Sequence, residues 1–562
     1  MATLCRHKAR RGHSEAARRK RKDLNIHDRQ GTTAFLWAVI HGDRGLGSWL
    51  LLIFLCLAVY HPVLFQETTN YDDPLWISVA TPPSLETLKE IITSSPDRIS
   101  PSLGYLAPVT ASSIVFDLWI GDAFGNTEVV HKGVNLMLHL GNCLLVLTVM
   151  RGMQFTRWVS LMVAAIFAIH PLQVSSVAWL AERKNLLMTF FFLLSFWCYL
   201  THRRREAVVP LGSVQREGVS LVLGRRLSPQ GWYALSLLAY LLSLLSKPTA
   251  VTLGPCLVLA DFCIIDRRLT WRSLLRASPF IGLAVVWTIM ATTSEGVVEH
   301  LPPIIDRILL FPYKVVFLVG KFFVPVGLCP IYPPVNVDSA SLSWWAPAIA
   351  TVAVGIVLWL IHRSIGIWQI LWGILFYAVN LLPTSGLVAW KGMQELYVAD
   401  HYQYTAIIGL ATVVALGAAR VADRLAGEMA PLAKAVLTCI VMLPLSLISI
   451  SHLKTWENSE TLWQEVSAKN PNNYTAHYNY ANYLRSKQRI SEAIDQYQHA
   501  VRIGGDRVHR AYHNLGELLL LTGRTVEAEQ SFKKAAAIAP VFWLPHASLT
   551  NIYFLAADYE KA

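Results

Sequence analysis

The feature that most constrains this chain is a recurrence of apolar runs, each near the length of one bilayer crossing, from residue 49 to residue 451. A helix rises 1.5 Å per residue, so a hydrocarbon layer about 30 Å thick takes about 20 apolar residues. The runs fall at 49–65, 129–150, 158–179, 185–201, 231–246, 249–265, 274–293, 344–361, 366–383, 403–419 and 432–451, which makes about eleven predicted transmembrane helices. With 54% hydrophobic and 15% charged residues over 562 positions, the chain cannot keep the polar surface that a soluble domain of that size needs. The expected class is all-α and polytopic. Composition turns polar at about Ser451, which divides the chain into a basic arm (1–48), a membrane domain (49–451) and a tail (452–562).

Charge assigns sides. The net charge of +12 and the run Arg18-Arg19-Lys20-Arg21-Lys22 would suit nucleic acid, but the run lies shortly before the first apolar helix, where positive-inside bias places basic residues in the cytoplasm. Nucleic acid is therefore not an expected partner. The segment 66–128 carries Glu67, Asp72, Asp73, Glu86, Glu90, Asp97, Asp117, Asp122 and Glu128 against Lys89 and Arg98, and reads as a first outer loop. Arg151 and Arg157, Arg203-Arg204-Arg205 with Arg225-Arg226, and Arg267-Arg268 with Arg272 and Arg276 all fall on loops of the opposite parity. Residues 305–326 are apolar but interrupted by Pro312, Lys314 and Lys321, and counting them as a span would invert every later loop. They are read as an interfacial or re-entrant helix in a later outer loop, which leaves the tail outside. No cleavable signal peptide is expected before Trp49. Cys56, Cys143, Cys198, Cys256, Cys263 and Cys439 fall in apolar runs and predict no disulfide framework.

The tail repeats itself. Ala476-His477-Tyr478-Asn479 with Ala493, Tyr497 and Ala500 returns as Ala511-Tyr512-His513-Asn514 with Ala528, Phe532 and Ala535, an offset of 35 residues. A third copy begins near Trp543. This is close to the tetratricopeptide (TPR) period of about 34, and predicts stacked helix pairs that offer a concave surface to a partner.

Four polar clusters sit at the outer ends of the predicted helices: Asn70-Tyr71-Asp72-Asp73, His170-Pro171 with Glu182-Arg183-Lys184-Asn185, Ser246-Lys247-Pro248, and Lys391 to Tyr404 with Asp400-His401-Tyr402. Singly, each has an ordinary use as a helix cap, a membrane-boundary anchor or a snorkelling side chain. Together, on one side of the membrane, they make the parts of a transfer from a phosphate-linked donor. A carboxylate acts as general base, and cations stabilise charge on the departing phosphate. Asp72 or Asp73 is the expected base, or the pair holds a divalent metal such as Mg or Mn. Arg183, Lys184, Lys247, Lys391 and His401 are expected to face the phosphate, with Glu182, His170 and Asp400 in support.

The strings HPLQVSSVAWLAERKN (170–185), LLSKPTAVTL (244–253) and YVADHYQY (397–404), with the TPR tail, resemble bacterial relatives of the transmembrane and tetratricopeptide-repeat protein O-mannosyltransferases, within the GT-C membrane glycosyltransferases. The resemblance implies a polyprenyl-phosphate sugar donor, an acidic dyad in the first outer loop matched by Asp72-Asp73, inversion at the sugar carbon, and a juxtamembrane helix at 305–326. It implies a multi-pass protein of the bacterial inner membrane, with the site and tail facing the periplasm, acting on an exported protein or a glycan. Animal members carry a Gly-Arg-Ala-Asp element where this chain has Ala181-Glu182-Arg183-Lys184-Asn185. Two other classes fit part of the pattern. A flippase or transporter would also need intramembrane charge, but the spans show no duplicated halves. A TPR scaffold would need only one or two spans as an anchor.

Overall fold

The computed structural model describes residues 46–93, 106–208, 227–294, 303–335, 337–361, 367–387, 397–505 and 508–555. The basic arm before residue 46, Arg225-Arg226 and Lys391 lie outside the described residues. Among those described, every regular element is helical.

Helix α1 (Leu46–Tyr60) leads into the segment expected to form the first outer loop, whose helices are α2 (Asp73–Ala80), α3 (Leu85–Thr93) and α4 (Pro108–Phe124). The membrane domain continues through α5 (Thr127–Gly152), α6 (Arg157–Ile169), α7 (Val174–Ala178), α8 (Arg183–Val208), α9 (Pro229–Leu244), α10 (Leu253–Ala260) and α11 (Trp271–Ser294). Helices α12 (Ile304–Phe323), α13 (Ala346–Ile361), α14 (Trp368–Leu381), α15 (Ile407–Ala426) and α16 (Ala430–Leu453) complete it. Helix is present in all eleven predicted segments. Among the described residues, six helical stretches are long and apolar enough to cross a membrane, or seven counting α6 and α7, which are bent by 54° at His170-Pro171. Helix α12 runs unbroken through Pro312, which the sequence reading treated as an interruption; its Leu309, Leu310, Lys314, Leu318 and Phe322 are buried, and that packing offsets the cost of an interior proline.

The bend is held by a polar stripe. Where a helix breaks inside an apolar domain, its carbonyls lose their amide partners and must find others. Lys132, Asn135, His139 and Asn142, spaced three and four residues apart on one face of α5, are fully buried. Lys132 Nζ donates to Ala178 O (2.6 Å), Asn135 to Val177 O and Trp179 O (3.2 Å each), and Asn142 to Leu186 O (3.0 Å). His139 Nε2 lies 2.9 Å from Ala168 O, while its Nδ1 meets the Tyr404 hydroxyl at 2.8 Å. Helices α14 and α15 close in elsewhere on bare backbone: a Cβ on Gly373 would lie 2.7 Å from Gly409 O.

The tail stacks α17 (Ser459–Lys469), α18 (Tyr474–Ser486), α19 (Ile490–Gly504), α20 (His509–Leu521), α21 (Thr525–Ile538) and α22 (Trp543–Leu555). The alanines that carry the repeat, with Tyr497 and Phe532, are its buried core. Gly516 is required there, since a Cβ would meet the Phe532 ring at 2.7 Å.

Candidate active site

The chain from Thr69 to Trp76 forms one wall of the site. Asp72 takes the N-cap position of α2 and is partly exposed, while Asp73 opens the helix and is fully buried. Asp73 Oδ2 accepts from the Thr69 amide (2.8 Å) and hydroxyl (3.1 Å), and Oδ1 accepts from the Ala181 amide (2.9 Å). Burial pushes its carboxyl above the usual aspartate range, against the pull of the Lys132 ammonium and these bonds. Asp73 thus ties the outer loop to the turn that presents Glu182.

Glu182 is the centre of the opposite wall. It is fully buried, with Lys184 Nζ at 3.1 Å, Lys247 Nζ at 3.7 Å, His401 Nε2 at 3.9 Å and the Asn185 amide donating to its Oε2. Lys247 also donates to Asn185 Oδ1 (2.7 Å). Burial lowers Lys247 to about 8, an effect that Glu182 partly opposes, and holds His401 at about 4, so at pH 7 the histidine offers a dipole and no charge. Lys314 of α12 joins from a third direction: its ammonium donates to Thr384 O, lies 5.2 Å above the Tyr402 ring, and is lowered to about 7 by burial. A polar cavity of about 20 Å³, room for about one water, opens between Lys247, Thr249, Asn380, Thr384, His401 and Tyr402.

Aromatic rings join the two walls. Lys184 Nζ lies 5.9 Å above the Trp76 ring and 5.6 Å above Trp179. Tyr71 stacks on Trp179 at 4.8 Å, and Trp179 meets His401 edge-on at 5.8 Å.

The structure therefore brings Lys184, Lys247, His401 and Glu182 together at a turn that Asp73 holds through the Ala181 amide, with Asp72 the residue before it in the chain, and leaves three expected residues aside. Arg183 does not face the cluster. Its guanidinium is fully buried on the other side of the turn, donating to Asp117 (2.7 Å), His131 O (2.8 Å) and Asn135, because the helical step from Glu182 turns successive side chains apart. His170 receives the Leu172 amide on Nδ1 (3.2 Å), meets Phe322 O through Nε2 (3.0 Å) and stacks on the Phe322 ring, fastening the α6–α7 bend to α12. Asp400 accepts from the Tyr332 hydroxyl (2.8 Å), and burial raises its carboxyl to about 7.

Asp73 is poorly placed to ligate a divalent metal. Three protein donors already occupy the Asp73 oxygens and an ammonium, Lys132, is the neighbouring charge, whereas hard cations need several free carboxylate or carbonyl oxygens. The Cys/His grouping Cys56, His139 and Cys143 is buried in the core, and both His139 ring nitrogens are already hydrogen-bonded.

Sequence reasoning missed Lys132, Asn135 and Lys314 as parts of the site. The signal was present: a lysine or asparagine within an apolar helix marks a buried partner.

These features define an all-α, multi-pass membrane protein with TPR repeats after its membrane domain, and residues 473–540 match the tetratricopeptide repeat family model. The chain is similar in sequence to two curated proteins named protein O-mannosyl-transferase TMTC1. It is 25% identical over 441 residues to human protein O-mannosyl-transferase TMTC1, covering 70% of this chain and 47% of that protein. It is 26% identical over 226 residues to mouse TMTC1, covering 39% of this chain and 23% of the mouse protein. The chain thus spans about half the length, or less, of the curated relatives it matches. The solved oligosaccharyltransferase of Archaeoglobus fulgidus, tethered to an acceptor peptide, aligns with a TM-score of 0.37 at 11% identity, over 81% of this chain and 58% of that one.

Proposed function

We propose that this chain is a GT-C-type glycosyltransferase of the bacterial inner membrane, which moves a sugar from a polyprenyl-phosphate donor to a Ser or Thr hydroxyl of an exported protein at the periplasmic face. The observation that carries the reading is the pair Lys184 and Lys247 gathered about one carboxylate, Glu182, with Lys314 over the Tyr402 ring nearby. A phosphodiester donor carries one negative charge and the departing polyprenyl phosphate nearly two. Two lysines against one carboxylate leave a net positive charge that favours the second state, so the site stabilises the leaving group more than the bound donor.

Asp72 is the base in this scheme, because it is partly exposed while both oxygens of Asp73 are committed. It takes the acceptor proton as the hydroxyl oxygen bonds to the anomeric carbon. The bond from that carbon to the phosphate oxygen breaks on the opposite face, inverting the centre. Asp73 positions the loop. No step uses a metal. The TPR tail holds the acceptor protein and raises its concentration at the site.

The test uses purified protein in lipid nanodiscs with a panel of polyprenyl-phosphate sugars and Ser/Thr-containing peptides or glycans. Wild type transfers sugar with inversion, and Asp72→Asn reduces transfer by at least about 10²-fold while keeping its fold, as expected for loss of a general base. Full transfer by Asp72→Asn removes the assignment of the base. Transfer to glycans alone moves the acceptor from protein to polysaccharide.

A further inference from the structure

The outer loop that carries Asp72 is held by the tail. Asn70 is clipped between two tail helices: its side-chain carbonyl accepts from Trp463 Nε1 (2.6 Å), its side-chain amide donates to Asn479 O (2.8 Å), and its backbone amide donates to Ser459 Oγ (2.9 Å). Tyr71 is then sandwiched between Trp179 of the membrane domain and Trp463, whose ring meets it edge-on at 5.2 Å. Asp72 follows at once. Upstream, the Glu67 amide donates to Glu457 O (3.0 Å) and Gln66 Nε2 to Leu453 O (2.9 Å).

A second strut reaches the other wall. Lys469 Nζ donates to Leu328 O (2.6 Å) and Asn470 to Ile331 O, and the next residue, Tyr332, donates its hydroxyl to Asp400 beside His401. The first two helices of the tail, α17 and α18, therefore hold the loop that carries Asp72, and the end of α17 reaches Asp400, next to His401, through the segment 328–332. Among the described residues, these bonds all come from the stretch between Leu453 and Asn479, before α19 begins.

We infer that α17 and α18 are a working wall of the reaction centre, with Asn70 and Trp463 as positioning residues that set where Asp72 stands. This deepens the function proposed above and rests on it for the role of Asp72. It divides the tail into two parts: a fixed pair of helices that aligns the base, and the helices that follow, with the second repeat from α20 onward free to present a partner. Such a division predicts that changes at the clip affect the rate of the chemical step, whereas changes in the later repeats affect acceptor binding. Small displacements of a base matter, since misplacement by about 1 Å can cost about 10²-fold in rate.

The experiment compares full-length wild type, Asn70→Ala, Asn70→Asp and Trp463→Phe in lipid nanodiscs by hydrogen–deuterium exchange, and then by transfer from the panel of polyprenyl-phosphate sugars above to a Ser/Thr peptide. Asn70→Ala removes two of the three bonds, so amides of residues 67–76 should exchange roughly tenfold faster while α20 and α21 keep their protection. Asn70→Asp retains an acceptor for the Trp463 indole and should lie between. In the transfer assay, Asn70→Ala and Trp463→Phe should lower kcat about 10- to 100-fold and leave the donor KM unchanged, with partial rescue in Asn70→Asp. Unaltered exchange in residues 67–76, or faster exchange with kcat unchanged, overturns the inference. A wild type that transfers nothing from any donor in the panel removes the functional reading instead, and the exchange result alone then decides whether the clip holds the loop.

Discussion

Removing the charge on Glu182 should loosen the site more than any other single isosteric change among its described side chains. Glu182→Gln keeps the shape and an oxygen for the Asn185 amide, but withdraws the counter-ion from Lys184 at 3.1 Å and Lys247 at 3.7 Å. Two unit charges 4 Å apart attract by about 4 kcal/mol at an effective dielectric of 20, and part of that is spent on desolvating the carboxylate. Leaving a buried partner unpaired costs about 3–5 kcal/mol, which is the destabilisation expected here. His401 adds little at pH 7 because it is neutral there. The assay is reversible unfolding of the full chain by a denaturing detergent in mixed micelles, followed by tryptophan emission. A cycle with Lys247→Met isolates the pair. If the attraction organises the site, the double variant should be less destabilised than the two single changes added together, by about 1–3 kcal/mol. Strict additivity, or a Glu182→Gln protein as stable as wild type, would refute the claim that this carboxylate gathers the lysines.

Asp73→Asn should cost about 1–3 kcal/mol of stability, measured in the same unfolding assay, because an amide cannot accept from Thr69 and Ala181 as the carboxylate does. Binding of polyprenyl phosphate should weaken as pH rises from 7 to 9. Burial depresses Lys314 to about 7 and Lys247 to about 8, an anion binds the protonated forms, and deprotonation removes up to about tenfold in affinity per lysine per pH unit above its value, which a binding titration at fixed ionic strength checks. Gly516→Ala should destabilise the second repeat by about 1–3 kcal/mol, read as faster amide exchange in α20 and α21, since the added methyl meets the Phe532 ring.

The parts of this molecule legible in the sequence are those set by short-range rules. Apolar length fixes helices in lipid, so all eleven segments are helical in the structure, and the spacing of Ala476, Ala511, Ala528 and Phe532 reports a local packing repeat. The polar clusters were also visible, because charge is costly near hydrocarbon wherever it falls. Direction was not. Glu182, Arg183 and Lys184 are neighbours in sequence, yet two face the lysine cluster and Arg183 turns to Asp117, a partner 66 residues away. The separate fates of Asp72 and Asp73, one partly exposed and one bonded to Ala181, follow from where α2 begins against a turn that is distant in the chain. The clip on Asn70 joins residues about 390 to 410 positions apart. Which side chain meets which partner is decided by the packing of α5, α8 and the tail in three dimensions, since hydrogen bonds form by proximity in space and not by order along the chain.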